Sequence, residues 1–251
     1  MKGFPKTQSV AIIDDNDDRS RDLARTTGLK FGDSATHAYT LQWINDKLTL
    51  RNHNGKSAVD TSIDFTAGRN LHRLKFGGGH GQPLARAVKS SAKPLICDAT
   101  AGFGKDAFVF ASLGCEVVLL EQSVVVHSLL HDALQRALKH TETKPIVRRM
   151  QLHLADSSHL PSVWPDRNLP QIVYLDPMYP QGRRTAKKDI QALRELLEIP
   201  QDETTLLNAA RATAKRVVVK RPRKAPPLAQ VSPAGSITSP NTRYDIYSAA
   251  L

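Results

Sequence analysis

Cysteine is nearly absent: Cys97 and Cys115 are the only two thiols in 251 residues. So few thiols exclude a disulfide-stapled scaffold and point to a reducing compartment. Long apolar runs are missing as well. None approaches the ~18–20 residues that a membrane-spanning helix needs. The N-terminus carries no secretory pattern. Val10-Ala11-Ile12-Ile13 is too short for an apolar signal core and runs straight into Asp14-Asp15-Asn16-Asp17-Asp18. A cytoplasmic protein with no membrane partner is expected. Metal-ligand spacing is also lacking. Nine histidines are present, but no Cys or carboxylate pattern joins them, and His127 and His131 have no evident third ligand, so no metal is expected. Acidic residues fall short of basic ones, 24 against 35, leaving a formal net charge of +11. That surplus favours a polyanionic partner, most simply nucleic acid.

What is there is an ordinary globular composition, 40% hydrophobic and 24% charged. The length suits one large α/β domain with a small appendage. Residues 1–75 read as a small α+β domain. Val10–Ile13 is a short apolar strand, and Asp17–Thr27 is a helix stopped by Gly28. Ala38–Ile44 and Leu48–His53 form a hairpin around Asn45-Asp46-Lys47, and Ile63 and Phe65 mark a further strand. The glycine-rich run Lys75–Gly81 then interrupts the chain.

Across residues 76–251 strands and helices alternate, the pattern of a mainly parallel sheet covered on both faces. Strands are expected at Leu95–Cys97, Val117–Leu120, Met150–Leu154, Ile172–Leu175 and Val217–Val219. Helices are expected at Lys105–Leu113, His127–Lys139, Ile190–Leu197 and Thr204–Thr213. Ile237 and Tyr244–Tyr247 flank Ser239-Pro240-Asn241 and read as a closing antiparallel hairpin.

Chemistry concentrates at the strand ends. Asp98-Ala99-Thr100-Ala101-Gly102-Phe103-Gly104-Lys105-Asp106 joins a strand to a helix, and its glycines let the backbone approach a ligand. A triphosphate loop fails here, because Ala99 and Asp106 stand where Gly and Ser/Thr are required. The dinucleotide spacing Gly102-x-Gly104-x-x-Ala107 is satisfied, yet Asp98 and Asp106 would repel a pyrophosphate. S-adenosylmethionine, with a cationic end, suits acidic side chains beside a glycine loop. Such turns also use glycine for packing alone. Glu121 ends the second strand, nineteen positions after Gly102, where a carboxylate can accept from ribose hydroxyls. Asp156-Ser157-Ser158 follows the third strand, placed for an adenine or, equally by residue type, for a helix cap.

The most specific string is Tyr174-Leu175-Asp176-Pro177-Met178-Tyr179-Pro180. An apolar strand ends in a carboxylate, a proline fixes the next φ, and an aromatic follows. Asp176 and nearby carbonyls can accept from an amino group while Tyr179 stacks on the ring that bears it. A proline-rich turn with a core tyrosine is the bland alternative. Basic residues cluster in two places. Lys215–Lys224 holds six: Lys215, Arg216, Lys220, Arg221, Arg223 and Lys224. Arg183, Arg184, Lys187 and Lys188 form the other. Lys220, Arg221, Arg223, Arg183 and Arg184 are the expected phosphate contacts.

In these strings the chain resembles the bacterial ribosomal RNA small subunit methyltransferase J family. The resemblance lies in Asp98–Phe108, Val173–Pro180, Val217–Pro222, Lys75–Gly81 and Arg243–Tyr247, and runs from about residue 60 to the end. It implies a Rossmann-like class I methyltransferase fold with S-adenosylmethionine as methyl donor. It also implies methylation of a guanine N2 in 16S rRNA, near the 3′ end, on the RNA or the small ribosomal subunit. By matching motif, cofactor contacts fall on Lys105, Asp106, Glu121, Gln122, Ser157, Ser158 and Asp176, beside Gly102, Gly104 and Asp156 from the glycine loop and strand ends. Asp176, Pro177 and Tyr179 would handle the amine. Lys105 and Gln122 stand where the family often has Arg, and Met178 where related amino-methyltransferases have Pro. Apart from the resemblance, residues 1–75 are expected to dock substrate, because they precede the catalytic domain and carry no site of their own. Rival readings are an amino-methyltransferase acting on another RNA base or a protein amide, a nicotinamide-dependent oxidoreductase, and a non-catalytic RNA-binding protein.

Overall fold

A computed structural model describes residues 10–54, 57–67, 79–165, 168–177 and 202–250. The expected helix at Ile190–Leu197, the residues Met178–Pro180 and the basic group Arg183–Lys188 lie outside them.

The first described unit is a four-stranded sheet in the order β1-β2-β3-β4. Its strands are β1 (Val10–Ile12), β2 (Tyr39–Ile44), β3 (Lys47–Asn52) and β4 (Val59–Thr61). Helix α1 (Asp18–Thr27) crosses between the parallel pair β1 and β2. Its ends are written in the sequence. Asp17 accepts from the Arg19 N–H at the start, and Gly28, at φ +71°, returns its N–H to Ala24 at the end. The β2–β3 hairpin turns on Asn45 and Asp46, both at positive φ, which short polar side chains tolerate best. The last strand of this sheet is Val59–Thr61, earlier than the one expected at Ile63 and Phe65. Those two residues lie just beyond it and are buried as core plugs, not ladder members.

The second unit is a seven-stranded sheet in the order β10-β11-β9-β8-β5-β6-β7. Its strands are β5 (Leu95–Asp98), β6 (Glu116–Glu121), β7 (Met150–Leu154), β8 (Ile172–Leu175), β9 (Arg216–Pro222), β10 (Gly235–Thr238) and β11 (Thr242–Ser248). Pairing from β7 through β9 is parallel throughout; β11 runs antiparallel to both β9 and β10. The closing hairpin is therefore as expected. Intervening helices are α2 (Pro83–Ala87), α3 (Lys105–Ser112), α4 (Val124–Leu138), α5 (Lys144–Val147), α6 (Leu160–Val163) and α7 (Glu203–Thr213).

Both faces of this sheet are covered, which is why its central strands read as unbroken apolar runs. Val117 and Leu119 of β6 join the core beneath α3 and α4; Val118 and Leu120 join the opposite core beneath α7. The first core also takes in Leu41, Leu50, Ile63 and Phe65, so one continuous apolar cluster ties the N-terminal sheet to the face carrying α3 and α4. Polar contacts reinforce that seam. Asp132 of α4 accepts from the Leu48 N–H at 3.1 Å and from Arg136 at 2.9 Å, and Arg136 reaches the Ile63 carbonyl. Among the described residues, no helix is long and apolar enough to cross a membrane.

The strand order reverses beside β5. From there β6 and β7 extend one way, β8 and β9 the other. In open α/β sheets the crevice at such a point, beyond the carboxyl ends of the strands, is where ligands bind. All the expected acidic residues end strands there or open the helix that follows.

Candidate active site

The glycine loop leaves β5 and enters α3. Gly102 and Gly104 have φ of +51° and +68°, a region open to glycine at little cost. Around Gly102 a side chain would meet nothing nearer than the Thr100 carbonyl oxygen at 3.9 Å, so the backbone faces open space. Around Gly104 the reverse holds. A Cβ there would sit 2.8 Å from Leu130 Cδ1 and 3.2 Å from Phe65 Cζ, because α4 and the N-terminal unit close tightly on the helix start. Ala101 donates to the Leu120 carbonyl at 3.1 Å and Ala99 to the Tyr174 carbonyl at 3.0 Å, so the loop is stitched to β6 and β8.

Glu121, at the end of β6, accepts from the Gly102 N–H at 2.9 Å and the Ser123 N–H at 2.8 Å. Burial pushes its carboxyl up, against those backbone donors. The Gln122 backbone N–H is a third donor to this carboxylate. Beyond β7, Asp156 caps the turn by accepting from the Ser158 N–H at 2.9 Å and the Ser158 hydroxyl at 2.7 Å. The cap expected as an alternative for this string is thus present. Ser157 is buried and donates to the Ala99 carbonyl, which locks this turn to the glycine loop. Lys105 is exposed, its ammonium 5.7 Å from the centre of the Phe103 ring.

The wall opposite is built of charge. Asp106, in the first turn of α3, receives the Tyr174 hydroxyl at 2.7 Å and the Lys220 ammonium at 2.8 Å on the same oxygen. The Lys220 ammonium also donates to Asp176 at 2.8 Å. The Asp176 backbone N–H donates to the Thr100 hydroxyl at 2.6 Å, so the Asp-Pro turn is pinned to the glycine loop. Asp98, buried beneath them, has its carboxyl pushed well above the usual range, first by burial and then by the negative charges of Asp106 and Asp176. Burial alone would lower the Lys220 ammonium. Its two carboxylate partners outweigh that and hold it above the ordinary lysine value. Tyr174 is fully buried, with its hydroxyl proton held more firmly than usual by burial and by Asp106.

A family model described as "putative SAM-dependent methyltransferase" matches residues 22–249. Ribosomal RNA small subunit methyltransferase J of Hydrogenovibrio crunogenus is 51% identical over 192 residues, covering 74% of this chain and 68% of that protein. The protein of the same name from Pseudomonas aeruginosa strain PAO1 is 40% identical over 248 residues, covering 97% and 95%. The chain belongs to the ribosomal RNA small subunit methyltransferase J family. A crystal structure of a SAM-dependent methyltransferase from Neisseria gonorrhoeae superposes with a TM-score of 0.77, at 38% identity, over 95% of each chain. This chain is thus an S-adenosylmethionine-dependent methyltransferase with the Rossmann-like fold of its class. The nicotinamide-dependent oxidoreductase that the same glycine spacing allowed is thereby set aside.

The donor set of this methyltransferase fits that cofactor. The open backbone at Gly102, the half-buried carboxylate of Glu121 bonded to it, the polar Asp156–Ser158 turn, and the carboxylates Asp106 and Asp176 all lie at or just beyond the carboxyl ends of the parallel strands. Among the described residues, no group of three or more His, Cys, Asp or Glu side chains could hold a metal ion.

Two expected phosphate contacts are corrected. Lys220 and Arg221 do not empty into a loop. They lie within β9, paired across from Tyr244 and Arg243, so the strand's alternation sends them to opposite faces. Lys220 turns into the site. Arg221, with a side chain 1% exposed, is a core residue that pairs with Glu203 at 3.2 Å and donates to the Pro226 carbonyl. The six-residue basic cluster is therefore dispersed by its own strand. Lys215 and Arg216 sit at the far end, and Arg216 donates to the Ala87 carbonyl. Arg223 and Lys224 are exposed just beyond the end of β9 that meets the site. Tyr179, Arg183 and Arg184 lie outside the described residues. Thr100 and Tyr174 were missed as site residues. Both sit inside strings already singled out, but only the folded register aims their hydroxyls at Asp176 and Asp106.

Proposed function

We propose that this methyltransferase modifies the N2 amine of a guanosine in the 16S rRNA of the small ribosomal subunit. The reading is carried chiefly by the Asp176 turn, bonded through its own N–H to the glycine loop. An amine acceptor and the cofactor cradle are thereby held as one rigid unit.

When bound, S-adenosylmethionine supplies an electrophilic methyl group on a sulfonium. The chain's task is to present a poor nucleophile to it, since the guanine amine lone pair is delocalised into the ring. The Asp176 carboxylate and the Pro177 carbonyl accept the two N–H bonds, which makes the lone pair more available. Tyr179 stacks on the base and fixes its plane. Glu121 holds the ribose hydroxyls, Asp156 and Ser158 the adenine edge, and the glycine-loop amides and Asp106 the amino-acid end, with Lys105 and Gln122 flanking. With the cofactor bound, the N–C bond would form as the methyl–sulfur bond breaks, leaving neutral S-adenosylhomocysteine, and one amine proton would leave to Asp176 or to water. Orientation supplies most of the rate, because well-placed reactants gain ~7–11 kcal/mol in effective molarity.

Residues 76–251 act as the catalytic domain, and residues 1–75 help to dock the substrate. Phosphates are held by Arg223 and Lys224 at the crevice mouth, with Arg183 and Arg184. Arg223→Ala combined with Lys224→Ala is expected to lower the slope of log affinity against log salt by roughly 1.4–1.8. Arg221→Ala should leave that slope unchanged and lower the melting temperature, because it removes a buried side chain together with its bonds to Glu203 and the Pro226 carbonyl. Salt-dependent filter binding and thermal melts separate the two. The reducing cytoplasm is the proposed compartment, supported by two cysteines that are free and buried.

The test is transfer of labelled methyl from S-adenosylmethionine to naked small-subunit rRNA and to small-subunit particles, followed by nucleoside analysis. Label in N2-methylguanosine is expected. Label in another nucleoside, or in protein, overturns the guanine reading.

A further inference from the structure

Among the described residues, the charged wall of the site brings the Lys220 ammonium together with the carboxylates of Asp98, Asp106 and Asp176, and sequence order gives no hint of the pairing. Lys220 lies 114 positions from Asp106 and 44 from Asp176. Its ammonium donates at 2.8 Å to each. Asp106 belongs to the helix that opens the glycine loop; Asp176 belongs to the turn after β8. Lys220 sits between them on β9, side by side with Tyr244 of β11. It shares its face of the strand with Val218, which is buried in the core that holds Tyr174. A stem held in that way leaves the head group little room to swing to solvent.

Charge bookkeeping argues against a phosphate partner for it. Among the described residues, two carboxylates around one ammonium leave the cluster net negative. Such a group does not attract an RNA backbone. It does need its cation, because Asp98, Asp106, Asp176 and the Tyr174 hydroxyl crowd together from β5, α3 and β8. We propose that Lys220 is a positioning residue for methyl transfer, which clamps the carboxylates of Asp106 and Asp176 and so fixes the amine-accepting turn relative to the cofactor-binding helix. This rests on the reading of Asp176 as the amine acceptor.

Without the ammonium, Asp176 loses an opposite charge while the like-charged Asp106 stays beside it. Both changes favour its protonated form, a weaker acceptor. The sign follows: the acid limb of the kcat profile moves to higher pH. For Lys220→Met the expected shift is about one pH unit or more, with kcat at neutral pH down about 10–100-fold. RNA affinity and its salt slope should match the parent. Lys220→Arg, which keeps the charge, should return most of the rate and the original limb. Melting curves accompany each variant. If Lys220→Met does not fold, Lys220→Gln carries the same comparison.

A Lys220→Met protein with the parent pH profile overturns the proposal. So does one whose main defect is a shallower salt dependence of RNA binding, which would make Lys220 a phosphate contact. Asp176→Ala, made with Lys220 intact, checks the underlying reading separately. Full activity there removes the acceptor role whatever Lys220 does, whereas loss there with an unshifted Lys220→Met profile removes the clamp alone.

Discussion

Asp176→Ala is expected to abolish methyl transfer, by about 10²–10⁴-fold in kcat, in a protein that still folds. The carboxylate is half-exposed, with a side chain 41% accessible, so its removal leaves no deep cavity. Lys220 keeps Asp106 as a partner at 2.8 Å, so no cation is stranded. The turn stays pinned, because the bond to Thr100 comes from the Asp176 backbone and not its side chain. What disappears is the acceptor for the incoming amine. The loss should therefore fall on kcat far more than on the KM for S-adenosylmethionine. Asp176→Asn separates the two jobs of the carboxylate. Its amide oxygen can still accept an N–H but cannot take a proton, so a measurable remnant of activity is expected. Steady-state kinetics on both variants, with melting curves, check this. Parent-like turnover in Asp176→Ala would remove the residue from the mechanism.

Phe65→Ala is expected to give the largest loss of stability. Phe65 is fully buried, and its ring stacks on Phe108 of α3 with centroids 4.9 Å apart. Truncation of a buried Phe costs about 3–5 kcal/mol. At about 2–4 °C per kcal/mol for a chain of this size, the melting temperature should fall by roughly 6–20 °C. The effect should also reach the site. Phe65 Cζ lies 3.2 Å from where a Gly104 Cβ would be, so the ring backs the helix that the glycine loop opens. Weaker S-adenosylmethionine binding should accompany the lower melting temperature, and Phe65→Leu should recover part of both. A melting temperature within about 2 °C of the parent would contradict this account of the seam between the two sheets.

Much of the fold was legible because local chemistry and tertiary role agree. Asp17 and Gly28 bracket α1, and the doubly covered strands β5, β6 and β8 read as apolar runs. Helix α4 shows where they part. Val124-Val125-Val126 has β-branched residues that disfavour helix, so the expected start was His127. In the fold, Ser123 caps the helix and Val125 and Val126 are buried beneath it, and burial outweighs propensity. The short helices at Pro83–Ala87 and Lys144–Val147 span too little chain for a period to register.

In the site, each acidic strand end was legible, because a carboxylate closing an apolar strand stands out. The pairing between them was not, since it depends on which strands become neighbours. Lys220 and Arg221 looked alike as two members of a basic run. The one available signal was alternation: if Val217-Val218-Val219 extends by three residues, Lys220 shares a face with Val218 and Arg221 with Val219. A basic residue on an inward face needs an acidic partner, and the largely buried Asp106 and the part-exposed Glu203 supply them.

The most direct test of the site as a whole is a crystal structure of the complex with S-adenosylhomocysteine. The account predicts ribose hydroxyls on the Glu121 carboxylate, adenine beside Asp156–Ser158, and the sulfur turned toward Asp176. Product bound with its ribose away from Glu121, or with its sulfur facing away from the Asp176 turn, would contradict it.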